Sequence, residues 1–91
     1  MTAEAREKLR MLTELLEETR LHLYEADATE RLLIRQDGQA RSVYEERGEF
    51  YRYHLYRKGA LEWMNWASQA QNAHKANIRV LEARIRELSE E

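Results

Sequence analysis

The sequence has no cysteine, no proline and only three glycines in 91 residues. Without cysteine there is no disulfide, no thiolate metal site and no cysteine nucleophile. A β-sandwich or barrel needs turn signals about every 8–12 residues, and too few turn formers are present to supply them. No apolar run approaches the ~20 residues that cross a bilayer. The opening residues, Met1-Thr2-Ala3-Glu4, lack the apolar stretch of a secretory signal. The expectation is a soluble, cytoplasmic chain with no membrane partner.

Catalytic patterns are missing as well. There is no Gly-rich phosphate loop, no GxSxG and no HExxH, and Ser42, Ser68 and Ser89 form no recognisable arrangement with a histidine. The residues three before His22, His54 and His74 are Thr19, Tyr51 and Gln71, so the Glu-x-x-His pairs of a di-iron bundle are absent. The sequence therefore predicts no enzyme and no cofactor.

What the chain does contain is alanine, leucine, glutamate and arginine in the proportions of long helices and coiled coils. Ala5, Leu9, Leu12, Leu16, Thr19, Leu23, Ala26, Glu30 and Leu33 follow alternating steps of four and three, a heptad seam. Thr2 is placed to cap this first helix, over about 3–36. Asp37-Gly38 reads as its end, because glycine is the usual residue just past a helix. Ser42-Val43-Tyr44-Glu45 then fits the capping box of a second helix, over about 42–90, leaving a turn at about 37–41. The alternative for 32–43 is a β-hairpin about Asp37-Gly38, though glutamine, arginine and alanine are poor strand formers.

The second seam runs Tyr53, Tyr56, Ala60, Trp63, Ala67, Ala70, His74, Ile78, Leu81, Ile85 and Leu88. Two successive four-residue steps between Ala70 and Ile78 form a stutter. Gly59 is the place where this helix would kink, giving three helices. At 1.5 Å per residue the two helices are unequal, about 50 and 70 Å. Folded at Asp37-Gly38, the first reaches only to about residue 75, leaving Ile78 to Leu88 uncovered. The expected architecture is an all-α, coiled-coil-like helical hairpin that dimerises. Its self-association residues are Ala67, Ala70, His74, Ile78, Leu81, Ile85 and Leu88.

Net charge is −2, which gives no global signature for nucleic acid. The distribution is uneven: residues 31–58 carry seven basic and four acidic side chains, while residues 1–30 carry four and eight. The stretch Phe50 to Trp66 holds six of the eight aromatics, more than a thin helical core absorbs. Tyrosine, tryptophan and arginine are the residues enriched at binding hot spots. Tyr51, Arg52, Tyr53, Tyr56, Arg57 and Trp66 are the candidate anchors for a protein partner. The alternative is nucleic acid held by 47–58, where Arg47, Arg52, Arg57 and Lys58 interleave with aromatics but also with Glu49. Glu18, His22 and Glu25 share one helical face, a pattern read as a solvated polar surface rather than a metal site. His74 reads as a hydrogen-bonded core histidine.

Overall fold

A computed structural model describes residues 1–90. Two long helices fold back on one another: α1, Ala3–Glu46 (44 residues), and α2, Phe50–Glu90 (41 residues). The hairpin measures 68 × 14 × 13 Å and its radius of gyration is 20.3 Å. A globular chain of this length would have about 12 Å. It is a rod.

The Thr2 hydroxyl accepts from the Ala5 amide at 3.1 Å, so the cap is made as the sequence predicts. The end of α1 is not. The helix runs straight through Asp37-Gly38 and the Ser42–Glu45 box, and the turn lies at 47–49. No strand forms over 32–43, and Gly59 leaves α2 unbroken, so the described residues form two helices and not three. Gly48 adopts φ 69°. Its amide donates to the Glu45 carbonyl at 3.0 Å, and the Glu49 amide donates to the Tyr44 carbonyl at 2.8 Å. These two bonds close the helix end through a left-handed residue, a conformation that glycine adopts without steric cost. The Glu49 carbonyl then accepts from the Arg52 and Tyr53 amides and starts α2.

Burial explains why the chain passes over one glycine and turns at the next. The α1 seam continues with the same steps of four and three through Asp37, Ala40 and Tyr44, all half-buried. Turning at Gly48 gives arms of nearly equal length. The amino-terminal half of α1 then covers Ile78, Leu81, Ile85 and Leu88, which a turn at Gly38 would leave bare. Keeping Gly38 and Gly59 inside helices costs about 1 kcal/mol each, less than the ~1.5–3 kcal/mol for each large side chain left unburied.

The core is a single thin stripe. Leu16, Thr19 and Ala26 are buried on α1, and Tyr53, Ala60, Ala67 and Leu88 on α2. The Thr19 hydroxyl is satisfied by the Leu15 carbonyl at 2.7 Å. Glu30, the polar interruption in the seam, accepts from the Gln71 side chain of α2 at 3.1 Å. Between Ala60 and Ala67 the α2 side of the seam is alanine, and Met64 takes the half-buried position while Trp63 turns out. Burial thus adds a pair of four-residue steps at Tyr56–Ala60–Met64 to the pair at Ala70–His74–Ile78. The flexible thioether packs into the seam between the two alanines, and the indole stays at its edge.

Candidate interaction surface

Of the candidate anchors, Tyr51 is 75% exposed, and Arg52 and Arg57 are also exposed. Tyr56 is half-buried. Tyr53 is buried at 6% and belongs to the hairpin itself. Its hydroxyl donates to the Asp37 carboxylate of α1 at 2.9 Å. Burial, and then this bond, raise the Tyr53 phenol above its ordinary value. The other Asp37 oxygen is buried and unpartnered. Tyr53 is thus withdrawn from the partner-binding set.

The residues assigned to self-association are occupied in the same way. Ala67 and Leu88 are buried, and Ala70, His74, Ile78, Leu81 and Ile85 are half-buried in the seam against α1 of the same chain. The bare seam that argued for a dimer does not exist once the turn moves to Gly48. His74 instead lies across from His22, with ring centroids 5.7 Å apart. Glu18, His22 and Glu25 are all exposed, and among the described residues no group of three such side chains is arranged to hold a metal ion. The histidine pairing was readable in principle, since positions 22 and 74 are equidistant from residue 48.

Beyond the seam the hairpin has two unlike flanks. Residues immediately before each seam position share one flank, and residues immediately after share the other. Grooves on the first are lined by Met11 with Arg84, and by Gln36 and Val43 with Tyr56. On the second, one groove brings Arg20, Tyr24 and Asp27 beside Lys75, and Arg20 bonds Glu82 at 3.0 Å. The first flank is apolar: Met11, Leu15, Leu32 and Val43 on α1, with Leu55, Trp63, Trp66 and Val80 on α2, are all exposed. Trp63 and Trp66 meet edge to face at 6.0 Å and are 59% and 56% exposed. Sequence reasoning missed Trp63 because it assigned the tryptophan to the seam.

The second flank is basic. Arg6, Arg10, Arg20, Arg31 and Arg41 lie along α1, and Arg57, Lys75, Arg79 and Arg86 along α2. Several are already paired there: Arg31 with Asp27 at 3.1 Å, Arg41 with Glu45 at 2.7 Å, and Arg10 with Glu7 and Glu14. By contrast, the cations of 47–58 do not form a track. Arg52 and Arg57 are five residues apart, about 140° around the helix.

Compared with known proteins, the chain matches no family model, no curated relative and no solved structure. No described helix is long and apolar enough to cross a membrane.

Proposed function

We propose that this protein is a non-enzymatic interaction module, a small helical adaptor, chaperone or inhibitor, that self-associates and grips a protein partner at its turn end. The observation that carries this reading is the exposure of Tyr51 at 75% beside exposed Phe50, Arg52 and Leu55 on the first turns of α2. Large aromatics next to arginine, left in water at one end of a rod, are the usual composition of a protein-binding hot spot. Absence of catalysis is supported by the inventory of residues: no cysteine, and Ser42, Ser68 and Ser89 all on the exposed surface. The test is capture from the source cell with wild type and with Tyr51→Ala/Arg52→Ala. Expected is a stoichiometric protein, lost at least tenfold in the variant at unchanged helicity. Equal capture by both, or recovery of a metal or nucleotide in its place, overturns the reading.

A second reading, nucleic-acid binding, is favoured by one observation, the nine basic residues on the basic flank. Four acidic residues share that flank (Glu17, Asp27, Glu45 and Glu82), so its excess is modest. A gel shift at about 50 mM salt decides it. If the flank binds duplex, replacing Lys75, Arg79 and Arg86 by alanine lowers the salt slope by about 3. No retardation at tens of micromolar protein removes this reading.

A further inference from the structure

We propose that the apolar flank is covered by the same flank of a second copy, making a two-fold symmetric four-helix bundle. This rests on the self-association reading above and assigns it a surface different from the seam. Three observations carry it.

The first is an incomplete core. One hairpin buries only a single stripe, and no described side chain of large volume is fully buried. Eight large apolar residues meanwhile lie exposed on one flank, whereas only Tyr24, Ile34 and Leu61 do so on the other. Soluble monomers rarely leave a continuous apolar patch beyond a few hundred Å². Such a patch running the length of a rod is half of a core.

The second is size. A face 68 Å long and 14 Å wide offers roughly 900 Å², close to the ~800 Å² per partner that stable dimers bury.

The third is charge, which selects the occupant. The apolar flank carries Lys8, Arg52 and Arg84 against Glu4, Glu18, Glu25 and Glu87, a net charge of only −1 over its length, with Lys8 already paired to Glu4. A second copy meets it with little repulsion, as a self-complementary interface requires. The basic flank would repel a copy of itself. Pairing through the apolar flanks leaves both basic flanks in water, together with Phe50 and Tyr51 at each turn end, free for other partners.

Light scattering from 1 to 100 μM is expected to give twice the 11.0 kDa chain mass. Trp63→Glu/Trp66→Glu should weaken the dimer at least tenfold, and Ile34→Glu on the basic flank should not. If the tryptophan variant unfolds, single cysteines decide the matter, because the chain has none of its own. Ala73→Cys on the apolar flank should cross-link between copies with a bis-maleimide, and Asn72→Cys on the basic flank should not. A monomer throughout the range overturns both this proposal and the self-association reading. A dimer that tolerates both glutamates, or links through position 72 and not 73, overturns this proposal alone. Neither result touches Tyr51, which lies off the apolar flank and whose variant is read by capture.

Discussion

Tyr53 donates its hydroxyl to Asp37 at 2.9 Å, tying the first turn of α2 to a seam position nine residues before the end of α1. The bond gives one oxygen of a half-buried carboxylate its partner while the other has none. Tyr53→Phe should lower the thermal midpoint, because both oxygens are then orphaned. Tyr53→Phe with Asp37→Leu should recover it, since an apolar pair replaces a polar one. An unchanged midpoint in the single variant would show that the bond contributes nothing. The tyrosine holds its proton more tightly folded than unfolded. Its contribution is therefore complete below about pH 10 and is lost as pH rises through the raised folded value. Tyr53→Phe should remove that part of the alkaline loss, measured as midpoint against pH.

The glycines should respond in opposite directions to alanine. A methyl group meets nothing within 4 Å at Gly38 or Gly48, so space decides neither. Gly48 has φ 69°, and alanine there should destabilise by about 1–2 kcal/mol. Gly38 sits inside α1, and alanine should stabilise by about 0.5–1 kcal/mol. Chemical denaturation measures both. The reverse order would place the turn at Gly38.

Ala67 is 0% exposed, the most completely buried of the core residues of the seam. Ala67→Leu should cost about 1–3 kcal/mol by forcing the helices apart. Ala83→Leu, on the exposed side of α2, should stay within about 0.5 kcal/mol of wild type. Urea midpoints compare the two.

Helix type and the first seam were legible because Ala5 to Leu33 repeat without a fault. The turn was not, although the same steps carried on through Asp37, Ala40 and Tyr44. A local signal, glycine after aspartate, outweighed a periodic one whose reward comes only from distant residues such as Ile78 and Leu88. Trp63 was misplaced for a related reason. Hydrophobicity ranks tryptophan above methionine, but the buried neighbours Ala60 and Ala67 are four and three residues from Met64, on its face of the helix, and that spacing carries Met64 inward. At the surface, Tyr51 and Trp66 were found as exposed aromatics. Tyr53 was not separable from them, because its partner Asp37 had been assigned to a turn.

The two acids of the seam also exclude a competitor. Glu30 finds Gln71 and Asp37 finds Tyr53 only in the register that the Gly48 turn imposes. In a hairpin folded at Gly38, Glu30 would slide opposite the acidic stretch 45–49 and Asp37 would fall in the turn itself. Leu9 would face the polar surroundings of Gln71, with the isoleucines left bare. Leucine and alanine seams alone slip past one another at small cost, since one heptad resembles the next. Two carboxylates that are tolerated in a single alignment turn that permissive pattern into one structure.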